Sequence, residues 1–331
     1  MHRIAALGLH HDHVWSNLEQ LVATGHAELV AAADTDPELL AKYRDHFPGH
    51  TYSSYEELLE NEDLTAVYIF ASNRLGEDLA VMACERGLHC LVEKPMAATL
   101  DGAEAMLAAA EENGVRLMIN WPFAWWPQLR HGIAMARAGE IGQLWQVKYR
   151  AAHQGPVELG CSRQFWEWLY DEDLNGAGAL MDYCCYGAVL ADVLLGRPEA
   201  VTGVCISTGL KPDLELEDNA ILILRYPHAL ATSEASWTQI GTMTSYVTSL
   251  YGSRGTLLIE PDHGGRILLA TEEHPEGVAL TVPPQPDHLA NSATHFLAAI
   301  EDPALEIHPL CDAGNGRDAQ WILEAGIEAA G

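Results

Sequence analysis

Basic residues are scarce in this chain: 18 Lys and Arg stand against 47 Asp and Glu in 331 residues, a formal charge of −29. Such a field repels phosphate backbones and anionic bilayers, which argues against a nucleic-acid binder and a membrane-surface protein. By inspection no apolar run is long enough to span a bilayer. Met1-His2-Arg3 leads straight into Ile4-Ala5-Ala6-Leu7 with no leader-type apolar segment, and a cytoplasmic protein is expected. The seven cysteines, at 84, 90, 161, 184, 185, 205 and 311, include no CxxC pair, so neither a disulfide framework nor a zinc site is suggested. The adjacent Cys184-Cys185 reads either as a redox pair or as small packing residues on a buried helix. Internal repeats and low-complexity segments are missing as well.

What remains is a chain with 48% hydrophobic residues, ample for a core, and a length that suggests two domains. Up to residue 121, short apolar runs (Ile4–Leu7, Leu29–Ala33, Ala66–Phe70, Cys90–Val92, Val115–Ile119) alternate with helical patterns such as Pro37–Arg44, Glu77–Arg86 and Thr99–Asn113. That alternation predicts an α/β fold, a Rossmann-like doubly wound parallel sheet. After residue 122 the texture changes. A helix over Pro127–Ala138, a strand over Leu144–Ala152 and a helix over 178–195 precede seven strand-like runs with no helix between them. These are Ala200–Ser207, Ala220–Tyr226, Ala229–Trp237, Thr244–Tyr251, Gly255–Glu260, Arg266–Ala270 and Val278–Val282. Short strands in direct succession predict an α+β domain with a large, open, mainly antiparallel sheet. Helices over His288–Ile300 and Ala319–Ala329 close the chain. The expected domains are 1–121 and 122–331.

Leu91-Val92-Glu93-Lys94-Pro95 ends a strand, because Pro95 lacks an amide proton and disfavours helix at Lys94. A lysine is thereby held at a strand's carboxyl end, the edge where open α/β sheets bind ligands. The first strand runs into Gly8-Leu9-His10-His11-Asp12-His13, where a dinucleotide fold expects G-x-G-x-x-G. Gly8 supplies the tight turn, while His10 and His13 occupy the second and third glycine positions. Asp34 ends the second strand, where a carboxylate accepts ribose hydroxyls and repels a 2′-phosphate; Asp34 also reads as a helix N-cap, with Asp36 the better placed for that role. Three histidines within four residues invite a metal reading, but no partner motif accompanies them and no metal is expected.

Taken together, these motifs resemble the Gfo/Idh/MocA family of oxidoreductases over nearly the whole chain. The resemblance rests on Glu93-Lys94-Pro95, on Ala71-Ser72-Asn73 near the usual Thr-Pro-Asn, and on Asn120-Trp121-Pro122-Phe123 near the Asn-x-Arg-Phe junction. Gly139-Glu140-Ile141-Gly142 and the segment Trp168…Asp171…Gly176-Ala177-Gly178-Ala179-Leu180-Met181-Asp182 complete it. It implies that Lys94 lies beside a nicotinamide and the reacting carbon, and that Asp182 and Tyr186 share one helix face in the same cleft. Most members carry histidine where this chain has Tyr186; tyrosine belongs to the branch of dihydrodiol dehydrogenase and glucose–fructose oxidoreductase, where it is the acid/base. Implied cofactor contacts are Gly8, His10, His11, Asp34, Ala71, Ser72, Asn73, Glu93, Lys94 and Asn120, with NAD favoured over NADP. Implied substrate contacts are Trp121, Trp125, His153, Arg163, Trp166 and Trp168.

The expected reaction moves a hydride between NAD and a secondary alcohol of a sugar, glycoside or cyclitol, with Tyr186, polarised by Lys94, as base and Asp182 orienting. Two alternatives use the same residues or the same fold: an NAD-dependent glycosidase acting by transient C3 oxidation and elimination, and a non-catalytic sugar-binding protein. A homo-oligomer, dimer or tetramer, is implied by the resemblance alone.

Overall fold

In a computed structural model, residues 1–261 and 265–331 are described. The chain divides into two compact, interleaved units: residues 1–120, 161–176 and 286–317 form one, and 121–160, 177–285 and 318–331 the other.

The first unit is built around strands β1 (His2–Leu7), β2 (Ala27–Ala33), β3 (His50–Tyr52), β4 (Ala66–Ile69), β5 (His89–Glu93) and β6 (Leu117–Asn120). They form one parallel sheet in the order β3-β2-β1-β4-β5-β6, reversing direction of growth at β1 and β4. The crossover helices are α1 (His13–Ala23), α2 (Pro37–His46), α3 (Tyr55–Asn61), α4 (Asn73–Glu85) and α5 (Leu100–Asn113). Side-chain caps explain their starts: Asp36 accepts from Glu38 N–H, Ser54 from Glu57, Ser72 from Leu75 and Thr99 from Gly102. Gly114, in the left-handed conformation, ends α5. β4 and the core of β2 are buried almost throughout, as a sheet covered on both faces demands. β3 and α3 were not anticipated; a three-residue strand carries too little periodicity to detect.

The second unit opens with α6 (Pro127–Arg137) and β7 (Leu144–Ala152). Two short helices of the first unit follow, α7 (Arg163–Leu169) and α8 (Glu172–Asn175), then α9 (Cys185–Leu195) of the second. The remaining strands are β8 (Ala200–Ile206), β9 (Asn219–Arg225), β10 (Leu230–Ser236), β11 (Thr248–Gly252), β12 (Thr256–Ile259), β13 (Ile267–Ala270) and β14 (Val278–Ala279). The eight-stranded sheet runs β14-β13-β12-β11-β7-β10-β9-β8 and is antiparallel except where β7 meets β10. A parallel pair needs a long connection, and here α9 lies within it. Helices α10 (Ser292–Glu301) and α11 (Ala313–Ala330) close the chain.

Several expected boundaries shift. The strand expected from Thr244 begins at Thr248, because Thr244 and Tyr246 adopt positive φ values of 63° and 59°. The expected helix at 178–195 starts as a π-helical turn, Leu180–Cys184. The α-helix expected from His288 begins later: Asp287–Leu289 is a 3-10 turn, and Asn291 forms a capping box with Thr294 that sets the start of α10 at Ser292. The expectation that no run could span a bilayer is also corrected. Glu172–Leu195 is long and apolar enough by length and composition, and 83% of its apolar window is buried inside the protein, as in a core helix.

Candidate functional site

In the first unit the site lies at the carboxyl edge of the parallel sheet. Gly8 leaves β1 at φ +78°, and a Cβ there would stand 2.7 Å from Ala71 Cβ and 2.8 Å from its backbone. Only glycine allows the β1 turn and the β4 turn to approach so closely. His11 N–H then donates to Phe70 O at 2.9 Å, tying the two turns together. Of the Ala71-Ser72-Asn73 segment, Ser72 caps α4, and Asn73 donates to the side-chain and backbone oxygens of Asn175 at 2.8 and 3.1 Å.

Glu93 and Lys94 end β5, and both are buried. One Glu93 oxygen accepts from Asn120 Nδ2 at 2.7 Å; the other lies 3.1 Å from His13 Nδ1 and 3.9 Å from His11 Nε2. Asn120 is held in turn by Asn17 Oδ1 at 3.3 Å, which also accepts from Ser292 Oγ at 2.9 Å. His11 is buried with its ring 4.4 Å from Phe165 and 6.0 Å from Trp168. Burial first, then the charges of His13 and Lys94, push its pKa well below the ordinary histidine value, so it stays neutral.

His11, His13 and Glu93 bring three ligand-type atoms within 4.8 Å of one another, a grouping the sequence did not reveal. Its donor chemistry is that of a hydrogen-bonded cluster. His11 Nδ1 accepts from His13 N–H at 3.1 Å, which leaves the ring proton on Nε2, the nitrogen facing Glu93. The positive charge of Lys94 beside His11 further opposes a cation.

Asp34 is fully buried at the end of β2. Leu9 N–H donates to its Oδ2 at 2.6 Å and Asp36 N–H to its Oδ1 at 2.7 Å. Asp36, not Asp34, caps α2. Of the tryptophan-rich segment, 161–176 belongs to this unit: Trp168 packs on Phe165 beside His11, Trp166 lies 5.7 Å from Tyr170, and Arg163 is exposed and paired with Glu167.

The second unit carries Asp182 and Tyr186. Asp182 sits in the π-helical turn and accepts from Trp237 Nε1 at 3.1 Å. Tyr186, on the first turn of α9, is enclosed by aromatic rings: Phe123 at 5.0 Å and Trp121 at 5.4 Å edge-on, Tyr149 at 6.0 Å stacked. Burial, reinforced by Cys185, Tyr246, Tyr149 and Asp182, raises its pKa well above the ordinary phenol value. Its neighbours within the unit therefore hold the proton on. Tyr183 and Tyr246 share a hydroxyl–hydroxyl hydrogen bond of 2.8 Å, and His153 meets Tyr183 edge-on at 4.8 Å. Trp121 and Trp125 are both buried. Tyr183, Tyr246 and Trp237 were missed in the sequence; nothing in their spacing marks them.

The comparisons match this architecture. Residues 6–121 match the Gfo/Idh/MocA model described as an oxidoreductase family with an NAD-binding Rossmann fold, and residues 130–258 match that family's C-terminal domain. The chain belongs to the Gfo/Idh/MocA family. D-xylose 1-dehydrogenase (NADP(+)) 2 of Haloferax volcanii is 35% identical over 47% of this chain, a match that spans only 46% of that relative. The 1,5-anhydro-D-fructose reductase of Ensifer adhaerens is 28% identical over 92% of this chain and 88% of its own. An inositol dehydrogenase homolog from Azotobacter vinelandii, solved with NAD+, superposes with a TM-score of 0.82 at 22% identity, over 99% of this chain and 95% of that one.

A nicotinamide dinucleotide is the group this family implies. The residues present fit it at the turn: Gly8 is indispensable to the backbone path, the first turn of α1 carries no acidic side chain, and its N-cap Asp12 is engaged by Ser162 N–H at 2.8 Å. Gly8, Ser72 and the Glu93-Lys94 strand end are the residues that would hold it, since the amides of Leu9, His11 and His13 already donate to Asp34, Phe70 O and His11 Nδ1.

Proposed function

We propose that this protein is an NAD(P)-dependent oxidoreductase acting on a secondary alcohol, or the matching ketone, of a sugar, glycoside or cyclitol. The observation that carries the reading is a buried lysine at the carboxyl end of β5, in a sheet of order β3-β2-β1-β4-β5-β6 whose first turn requires glycine. Family membership supports it, and the named relatives above act on xylose and anhydrofructose. Bound there, the dinucleotide supplies the hydride acceptor or donor.

This chain's own residues supply the proton chemistry. Tyr186, a phenol that holds its proton, is assigned to donate to the substrate oxygen in the reductive direction and to recover the proton in the oxidative one. Lys94 is assigned the positive charge that stabilises the oxyanion. Asp182, fixed by Trp237, orients the neighbouring hydroxyl. Trp121, Trp125 and His153 are the proposed contacts to the sugar in the second unit. In this reading residues 1–121 hold the cofactor and 122–331 the substrate, with Arg163, Trp166 and Trp168 also proposed as substrate contacts. A homo-oligomer is proposed through the open face of the large sheet, where Val204, Ile206, Ile221, Ile223 and Leu230 are 43–59% exposed.

The test is a titration of the purified protein with NADH and NADPH by fluorescence, followed by a sugar and cyclitol screen read by nicotinamide absorbance. Binding with a substrate-dependent absorbance change is expected. Aglycone release without net reduction of the cofactor would replace this reading with glycoside cleavage. No dinucleotide binding would leave a non-catalytic sugar binder.

A further inference from the structure

His10 stands at the second glycine position of the dinucleotide turn, and its surroundings give it a task. The Asp34 carboxylate already accepts two backbone N–H groups, from Leu9 and Asp36, and is fully buried. His10 Nδ1 lies 3.2 Å from Asp34 Oδ2, off the straight line that a ring N–H needs for a hydrogen bond. Nδ1 is buried, yet the side chain as a whole is 23% exposed, so the exposure falls on its other atoms. The Asp34 side chain has no exposed surface, while that of His10 does.

We propose that His10 reads the 2′ substituent of the adenosine ribose in place of Asp34, and so sets the choice between NAD and NADP. The proposal rests on the dinucleotide reading above. A neutral ring with its proton on Nδ1, facing Asp34, presents Nε2 as an acceptor, which suits a 2′-hydroxyl. An imidazolium presents Nε2–H and a positive charge, which suits a 2′-phosphate.

The groups around His10 favour its cationic form. Burial alone favours the neutral ring; the Asp34 contact and the charges of Asp34 and Asp36 outweigh it and raise the pKa above the ordinary histidine value. Tyr55 on α3, which senses Asp34, stays a neutral phenol because burial raises its pKa. On His10's own loop, His11 is neutral, Asp12 is engaged by Ser162 N–H at 2.8 Å, and His13 faces Glu93. A raised pKa means that the cationic form, and tolerance of a 2′-phosphate, is present at low pH and lost as pH rises through the folded value.

The experiment measures dissociation constants of NADH and NADPH by calorimetry on the full chain, at about pH 6 and about pH 8. It compares the wild type with His10→Gln and His10→Arg. In the wild type the NADPH/NADH ratio of dissociation constants is expected to rise by about tenfold from the lower to the higher pH. His10→Gln should favour NADH at both, its residual slope reporting the titration of the 2′-phosphate itself. His10→Arg should favour NADPH at both. Dinucleotide binding with one ratio in all three proteins would overturn the role of His10 while leaving the cofactor reading intact. If none of the three bound either dinucleotide, the cofactor reading would fall, and this inference with it.

Discussion

The carboxylate of Asp182 accepts the indole N–H of Trp237 at 3.1 Å, and both residues are buried. The bond fixes a charged group inside a π-helical turn, a geometry that recurs at functional sites. Trp237→Phe keeps an aromatic ring but deletes the N–H donor and part of the buried indole. Urea unfolding should show a loss of about 1–3 kcal/mol, with a fall in turnover that Trp237→Phe shares with Asp182→Asn. Unchanged stability and turnover would detach Trp237 from the site.

Lys94→Ala and Tyr186→Phe should each lower turnover by about 10²–10⁴-fold with the far-ultraviolet circular dichroism of the wild type. Because Tyr186 is held protonated, reduction of the ketone should stay active at neutral pH and decline only toward alkaline pH. A reductive rate that instead collapsed near neutrality would assign the proton to another group.

Stability should fall on acidification through His11. Its folded pKa lies well below the unfolded value, so the unfolded chain binds the extra proton first. Stability is then full above the ordinary histidine range and is lost as pH drops below it. His89, also lowered by burial, Arg116 and His2, acts in the same direction. Denaturant melts at about pH 7.5 and about pH 5.5 should show a smaller acid loss in His11→Gln than in the wild type, with a remainder due to His89.

Gly8→Ala forces a side chain onto Ala71 at a positive φ of 78°. A destabilisation of more than about 1 kcal/mol is expected, together with loss of NADH binding, read by thermal melts and fluorescence. A variant that kept both would mean that the β1 and β4 turns can separate.

Ile223→Lys places a charge on the exposed face of β9 without touching the core. Sedimentation velocity should show an oligomer for the wild type and a smaller species for the variant, with the fold unchanged. A monomeric wild type would remove the proposed interface.

Much of the fold was legible because it follows from local chemistry. Apolar runs alternating with amphipathic ones dictate parallel strands and crossover helices, and β9 alternates buried and exposed residues as a half-covered strand should. Pro95 ended β5 at the lysine, and α5 lies close to the expected Thr99–Asn113, whereas α4 begins at Asn73, where Ser72 caps it, and not at the expected Glu77. Residues without such a local signature were not legible. His13 meets Glu93 across 80 residues of sequence because parallel strands deliver their carboxyl ends to one edge. Asp34 reads as a ribose ligand in the chain, and only folding shows that it is buried with two backbone donors. Trp168 and Arg163 lie five residues apart, yet one is packed beside His11 and the other is open to solvent. The amino-acid sequence determined the two sheets, the glycine turn and the lysine at the strand end, since each depends on neighbours within a few residues. Only the tertiary structure decided which imidazole faces which carboxylate, because those pairings depend on where distant strand ends converge.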